Sequence, residues 1–215
     1  MRYKNIFLDL DGTITDSGNA IMTCAKYALD KMGCADEPEE KLRRFVGPSL
    51  MDSFEHLYGM SEEHAAEATR IFRSLYVDNK MYDVTVYPGI HELLSKCRDA
   101  GLKTFVVTSK VQEYAGRIME KVGLLDYFTG IIGPDPQDFS SDKSRLINRA
   151  VKDYSLEKSE CVMVGDTRFD IEGAVKAGVD SIAVTYGYGN PVEMQMVHPT
   201  YKAANAAEIG DILFS

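Results

Sequence analysis

The sequence predicts an α/β protein with a doubly wound parallel sheet and an all-helical domain inserted after the first strand. Short, nearly continuous apolar runs alternate with amphipathic stretches, as expected for strands that helices cover on both faces. The segment 16–84 interrupts this alternation with several helical patterns and no convincing strand. We therefore expect an α/β core built from 1–15 and 85–215, and a helical cap over 16–84.

Five apolar runs rich in β-branched residues predict the core strands. They cover 5–10, 103–108, 130–133, 161–165 and 181–185. Core helices are predicted over 89–100, 111–122 and 170–177, and a glycine that can terminate a helix follows each of them. In the insertion, apolar spacing predicts helices over 17–32, 39–46, 49–58 and 62–81. Its two crossings to the core, near 15–17 and 83–87, are candidates for a hinge.

The composition narrows the range of partners and compartments. A formal net charge of −9 over 215 residues argues against nucleic acid and anionic membranes, which attract clustered Lys and Arg. The N-terminus carries no long apolar segment of the kind that targets or anchors a chain. The cysteines are widely spaced and contain no Cys-x-x-Cys pair, which is typical of reduced thiols: they are Cys24, Cys34, Cys97 and Cys161. We expect a soluble, cytoplasmic protein; its oligomeric state stays open.

Two carboxylates near the end of the first apolar run are the most informative residues of the chain. Asp9 follows Ile6-Phe7-Leu8, and Asp11 comes two positions later, before Gly12-Thr13. An ionised carboxylate taken out of water costs several kcal/mol unless it is paired, hydrogen-bonded or bound to metal. Because strand side chains alternate, both acids are expected on the same side of the strand end. That arrangement suits a cation and an electrophile.

Polar motifs follow several predicted strands, at the edge where ligands bind in open parallel sheets. They are 9–13, 108–110 (Thr108-Ser109-Lys110), 140–143 (Ser140-Ser141-Asp142-Lys143) and 165–170. Their residue types suit phosphoryl transfer, with a carboxylate nucleophile, a neighbouring acid as proton donor, and Lys and hydroxyl groups on the phosphoryl oxygens. Mg²⁺ prefers hard oxygen ligands, which Asp9, the backbone carbonyl of Asp11, Asp166 and Asp170 offer.

In these motifs the sequence resembles the haloacid dehalogenase-like hydrolase superfamily. The motif order of that superfamily is Asp-x-Asp-Gly-Thr, then Thr or Ser, then Lys, then Gly-Asp-x-x-x-Asp, and the match runs from Asp9 to Asp170. The chain looks most like the phosphoglycolate phosphatase-like branch, which has a Rossmann-like core and a small helical cap. Many relatives have Thr-Asn where this chain has Thr108-Ser109, and Lys-Pro where it has Lys143-Ser144.

The resemblance implies a role for each motif residue. Asp9 would be the nucleophile and Asp11 the general acid and then base. Thr108, Ser109 and Lys143 would bind the substrate phosphate. Mg²⁺ would be held by Asp9, Asp11, Asp166 and Asp170.

Simpler interpretations exist for several of these residues. Asp166 and Asp170 could cap a helix, Thr108 could be an ordinary strand residue, and Lys143 a solvated lysine at a helix start. In the cap, Arg43 and Arg44 beside Gly47-Pro48 could contact an anionic substrate, although helical arginines are more often solvated. The glycine-rich stretch Tyr186-Gly187-Tyr188-Gly189 lacks the G-x-G-x-x-G spacing and is interpreted as a flexible loop after the last core strand.

The function that these features favour is a Mg²⁺-dependent phosphatase acting on a small phosphorylated metabolite through an aspartyl-phosphate. Phosphoglycolate, pyrophosphate, a nucleoside monophosphate and a sugar phosphate all stay open as substrates. The alternatives are a sugar phosphomutase of the same superfamily, similar to β-phosphoglucomutase, and a non-catalytic phosphate-binding module.

Overall fold

A six-stranded parallel sheet forms the centre of the protein in a computed structural model that describes residues 1–34, 36–137 and 142–215. The strands are, in chain order, β1 (Asn5–Leu8), β2 (Thr15–Asp16), β3 (Thr85–Val86), β4 (Lys103–Val107), β5 (Gly130–Ile132), β6 (Cys161–Gly165), β7 (Asp180–Val184) and β8 (Tyr201–Ala203). The order across the sheet is β5-β4-β1-β6-β7-β8, and all its pairs are parallel.

Helices surround this sheet and fill the insertion. They are α1 (Gly18–Lys31), α2 (Glu39–Arg43), α3 (Leu50–Tyr58), α4 (Glu62–Leu75), α5 (Ile90–Asp99), α6 (Gln112–Lys121), α7 (Lys143–Asp153), α8 (Arg168–Ala177), α9 (Pro191–Met196) and α10 (Ala206–Phe214). A π-helical turn, Tyr76–Lys80, continues α4, and two 3₁₀ turns cover Leu125–Tyr127 and Lys158–Glu160. The predicted helix over 62–81 therefore changes its hydrogen-bond pattern at Tyr76.

Both faces of the sheet are buried. Ile6 and Leu8 of β1 join one hydrophobic cluster, whereas Phe7 between them joins a second cluster on the opposite face. Phe7 packs edge to face against Phe105 of β4, with ring centroids 5.6 Å apart. This two-sided burial explains why the strand sequences are almost continuously apolar, and the predicted α/β class is confirmed.

The order of the strands places β1 at the topological switch point. From β1 the chain reaches β4 and β5 on one side, and then returns to β6, β7 and β8 on the other. Leu8 at the end of β1 pairs with Val106 of β4 and with Val164 of β6. The loops that follow these three strands therefore meet over one crevice, the usual ligand position in such sheets.

Helices α1 to α4 lie between two short antiparallel strands. Thr15 of β2 pairs with Val86 of β3, and Asp16 pairs with Thr85. The expectation of no strand in 16–84 therefore misses Asp16, because a two-residue strand gives no periodic signal. We call 16–84 the insertion; its division from the core as a separate domain stays a prediction. Within it, α4 packs against α1 and α3.

Several core elements differ from the sequence-based expectations. β1 ends at Leu8 and not at residue 10, although the N–H of Asp9 still donates to the Val164 carbonyl at 2.9 Å. β8 was not predicted, because its three residues are too few to show alternation, so β7 is not the last strand of the sheet. Helices α7, α9 and α10 were also not predicted. Within the described ranges, no helix combines the length and apolarity needed to cross a bilayer.

Candidate active site

Asp9 and Lys143 form a buried ion pair at the carboxyl end of β1. Lys143 Nζ lies 2.7 Å from Asp9 Oδ1 and donates to the Val107 carbonyl at 3.0 Å. It also lies 2.9 Å from Asp170 Oδ1. Although Lys143 is the first residue of α7, it is only 2% exposed, so it is not the solvated lysine that a helix start usually carries. Its neighbours Ser140 and Ser141 lie outside the described residues.

Three buried carboxylates cluster here, and two of them, Asp9 and Asp170, contact this ammonium group. Oxygens of Asp9, Asp166 and Asp170 all lie within 4.8 Å of one another. When all three are ionised, they bring three negative charges against the one positive charge of Lys143. Burying an uncompensated charge is costly, and oxygen donors of this type match the preferences of Mg²⁺. The donor set therefore fits a divalent cation.

The pKa values reflect this crowding. Burial raises the pKa of Asp9 to about 7, with Lys143 opposing the shift and Asp170 and Asp11 adding to it. Burial also raises the pKa of Asp166 well above its usual range, and the charges of Asp170 and Asp9 push it in the same direction. For Lys143, burial lowers the pKa, but Asp170 and Asp9 outweigh it and the net direction is upward.

Asp166 is held by residues from two distant loops. Thr13 Oγ1 donates to its Oδ1 at 3.1 Å, and the N–H of Tyr188 donates to its Oδ2 at 2.7 Å. The loop containing Tyr188 runs so close that a Cβ on Gly187 would lie 2.3 Å from Asp166 Oδ2. The 186–189 stretch therefore positions a carboxylate of the cluster, and its two glycines were the sequence signal for that close approach.

The two carboxylate oxygens of Asp170 have different partners. Its Oδ2 accepts hydrogen bonds from the N–H and the hydroxyl of Thr167, at 3.0 and 2.8 Å, which caps the start of α8. Its Oδ1 faces Lys143. The capping interpretation is thus correct for one oxygen, and the other remains within the carboxylate cluster.

The side chain of Asp11 lies apart from that cluster. Its Oδ1 accepts a hydrogen bond from Ser17 at 2.5 Å, and its Oδ2 lies 3.2 Å from Lys110 Nζ. Lys110 also donates to the hydroxyl of Tyr76 at 2.5 Å. The sequence analysis includes Lys110 in the predicted motif 108–110 but gives it no specific role, and it does not single out Tyr76. Lys110 follows Thr108-Ser109 directly, which was an available signal, whereas Tyr76 shows only helical apolar spacing.

The remaining predicted phosphate contacts flank these groups. Thr108 follows β4, is 2% exposed, and its Oγ1 accepts a hydrogen bond from the N–H of Lys110 at 3.1 Å. Ser109 lines a cavity between the core and the insertion, together with Asp11. The structure thus brings Thr108 and Ser109 to the same strand edge as Asp9.

The two arginines predicted as substrate contacts, Arg43 and Arg44, face other parts of the core. The Arg43 guanidinium lies 4.8 Å from the centre of the Tyr188 ring. Arg44 Nη2 lies 3.8 Å from Glu193 Oε1, and it lines a second cavity that also reaches Lys143. Both therefore contribute to contacts between the insertion and the core, and a substrate contact for either stays a prediction.

Known proteins resemble this chain over nearly its whole length. The family model described as haloacid dehalogenase-like hydrolase matches residues 6–184. A 5'-nucleotidase of Pseudomonas aeruginosa is 34% identical over 100% of this chain and 97% of its own length. A phosphoglycolate phosphatase of Vibrio parahaemolyticus is 28% identical over 98% of this chain and 96% of its own length. The crystal structure of a predicted phosphatase from Clostridium acetobutylicum superposes with a TM-score of 0.96, at 33% identity, over 100% of this chain and 99% of that one.

The family model and these relatives show that the chain is a phosphatase, an enzyme that hydrolyses phosphoric monoesters. Within that class, the chain belongs to the haloacid dehalogenase-like hydrolase family, in its phosphoglycolate phosphatase-like branch.

Proposed function

We propose that the protein is a Mg²⁺-dependent phosphatase that releases phosphate from a small phosphorylated metabolite through an aspartyl-phosphate on Asp9. The observation that carries the proposal is the buried Asp9 at the end of β1, within reach of one ammonium group and two further carboxylates. A structural carboxylate gains nothing from this position, because its burial is costly. A nucleophile benefits from this position, because the surrounding groups hold it in place and shield it from water.

In the proposed mechanism, Asp9 attacks phosphorus and the bond from phosphorus to the leaving oxygen breaks. Asp11 gives its proton to that oxygen, and it then takes a proton from the water that attacks the aspartyl-phosphate. Phosphate leaves and Asp9 is regenerated. Ser17 and Lys110, which contact the two oxygens of Asp11, keep that carboxyl group in place during both proton transfers.

The proposed cation ligands are Asp9, Asp166, Asp170 and the backbone carbonyl of Asp11. A bound Mg²⁺ would neutralise charge on the phosphoryl oxygens. Lys143, Thr108 and Ser109 are the proposed phosphate-binding groups, because they lie at the same edge as Asp9. The insertion is proposed as a cap, since Tyr76, Arg43 and Arg44 reach the core from it.

A panel of phosphate esters, assayed for phosphate release with Mg²⁺ and after chelation, tests this proposal. The names of the relatives suggest nucleoside 5′-monophosphates and 2-phosphoglycolate as the first members of the panel. Sugar phosphates belong in it as well, because isomerisation without release of phosphate would indicate a mutase. We expect phosphate release that depends on Mg²⁺; binding of a phosphate ester without its hydrolysis would contradict the proposal.

A further inference from the structure

One face of α4 borders the cavity that opens next to Asp11. Thr69, Phe72 and Arg73 of α4 line this cavity, together with Tyr76 at the start of the π-helical turn. Their spacing of three to four residues places them on the same side of the helix. On the core side, the cavity is lined by Asp11, Ser109 and Lys110. Because Asp11 is the proposed proton donor to the leaving oxygen, the group that departs from phosphorus would occupy this space.

Among the residues that the structure describes, none forms a hydrogen bond with the hydroxyl group of Thr69. Thr69 is 1% exposed, and its Oγ1 is buried without a hydrogen bond to any part of the chain that the structure describes. A threonine within a helix can usually bond to the carbonyl one turn earlier, and Thr23 on α1 does so, donating to Asn19 at 2.7 Å. A buried hydroxyl left unpaired destabilises the folded protein. Thr69 therefore combines a position in the cavity lining with a hydroxyl group that no described residue pairs.

Aromatic rings line the same cavity from both sides. Phe45 and Phe72 come from the insertion, and Tyr114 comes from α6 of the core. The rings of Phe72 and Tyr76 stack, with centroids 5.6 Å apart and planes 25° from parallel. Such walls favour a flat ring over a short, strongly hydrated carboxylate. The ammonium group of Lys110 is already engaged by Asp11 and Tyr76, so it does not provide a further anion site.

From these observations we infer that α4 selects the leaving group, with Thr69 as a hydrogen-bond partner and Phe72 as part of an aromatic wall. The preferred substrate is then a phosphate ester whose alcohol carries a heteroaromatic ring with a polar edge, the chemistry of a nucleoside 5′-monophosphate. This inference rests on the proposed phosphatase function. It assigns to Thr69 a role in specificity that is separate from the chemistry at Asp9 and Asp11.

Substitution of Thr69 by Val and by Ser tests the inference. Val keeps the branched shape and removes the hydroxyl, whereas Ser keeps the hydroxyl. With uridine or adenosine 5′-monophosphate, kcat/KM of Thr69→Val should fall about 10- to 100-fold, the usual effect of an unpaired substrate group, and Thr69→Ser should retain most of it. With phenyl phosphate, whose ring has no polar edge, and with 2-phosphoglycolate, which has no ring, Thr69→Val should leave kcat/KM nearly unchanged.

A stability measurement separates this role from a structural one. Because Thr69→Val removes an unpaired buried hydroxyl, its midpoint of thermal unfolding without substrate should rise by about 2–4 °C. The matched control Thr23→Val, which removes a hydroxyl that is already paired and exposed, should not rise. A substitution that stabilises the free protein while weakening one class of substrate is the expected result.

Two outcomes would overturn the inference. The first is an equal loss on all substrates in Thr69→Val; the second is a wild-type preference for 2-phosphoglycolate over both nucleotides, which would assign the cavity to a carboxylate and point to Arg73. If the wild-type protein with Mg²⁺ released phosphate from none of these esters, the phosphatase proposal itself would fail, and that result is distinct from both.

Discussion

Lys110 Nζ lies 3.2 Å from Asp11 Oδ2, and both side chains are only 9% exposed. Burial lowers the pKa of Lys110, but the charge of Asp11 and the contact with Tyr76 together outweigh it, and the net direction is upward. The same ammonium donates to Tyr76 in the π-helical turn of the insertion. A single lysine therefore links the proposed general acid to the segment that covers it.

We expect Lys110→Met to lower kcat by about 10²-fold, because Asp11 loses the partner that orients it for proton transfer. The variant should also be less stable, since removing one member of a buried ion pair costs about 3–5 kcal/mol. Tyr76→Phe, which leaves the Lys110–Asp11 pair intact, is the matched control and should lose much less activity. Steady-state kinetics on the folded fraction of each variant makes the comparison, and an unchanged kcat in Lys110→Met would remove Lys110 from the mechanism.

Asp9→Asn should abolish turnover while the fold survives. The amide cannot form the aspartyl-phosphate, so we expect kcat to fall by on the order of 10⁴-fold or more. Without Mg²⁺ at about pH 8, the variant should be at least as stable as the wild type, because it avoids burying a charge whose pKa is raised to about 7. Phosphate release and thermal unfolding are the two measurements. Asp126→Asn, at an exposed position, is the control, and Mg²⁺-dependent turnover by Asp9→Asn would contradict the proposed nucleophile.

Removing Mg²⁺ should make stability depend on pH in a defined direction. Asp9 has a pKa of about 7 in the folded protein against 3.8 as its ordinary value, and the pKa of Asp166 is also raised. Between these limits the folded protein holds protons that the unfolded chain has released, so the free energy of unfolding should fall as pH rises from about 4 to 7. Thermal unfolding measured in chelator across this pH range shows whether the stability falls as the pH rises.

Binding of Mg²⁺ should release those protons, because the metal needs ionised carboxylates. Calorimetry at pH 6.5 in two buffers of different ionisation enthalpy would detect the release. The apparent affinity for Mg²⁺ should weaken below about pH 7. Asp166→Asn should reduce both the release of protons and the pH dependence of the Mg²⁺ affinity. A heat of binding that is independent of the buffer would argue against a protonated cluster.

Gly12→Ala should weaken Mg²⁺ binding through Asp166. Gly12 has a φ of +88°, and a Cβ there would lie 2.3 Å from Asp166 Oδ2, so that carboxylate must shift. Gly33→Ala is a matched control, because Gly33 has a similar φ of +81° but no atom within 4 Å of the added Cβ. Both variants carry the cost of a positive φ, and only Gly12→Ala should raise the Mg²⁺ concentration needed for half-maximal activity. Equal Mg²⁺ requirements in the two variants would show that backbone strain alone accounts for the effect.

The fold class and most core strands could be predicted because their signals are local. Apolar runs of four to five residues gave β1, β4, β6 and β7, since both faces of those strands are buried. Their ends were predicted less well: Asp9 and Thr108 continue the apolar runs but lie in the loops that follow. The three-residue β8 and the two-residue pair β2–β3 are too short for any periodic pattern.

The sequence by itself predicted a set of site residues, because the motifs at Asp9, Thr108, Lys143 and Asp166 stand in a fixed order along the chain. Only the tertiary structure decided how they meet. Lys143 reaches Asp9 across 134 positions. The N–H of Tyr188 holds Asp166, Tyr76 reaches Lys110, and Thr69 is left without a partner in the described chain. Local patterns determine strands and helices, whereas contacts between side chains so far apart depend on how those elements pack, which no local pattern records.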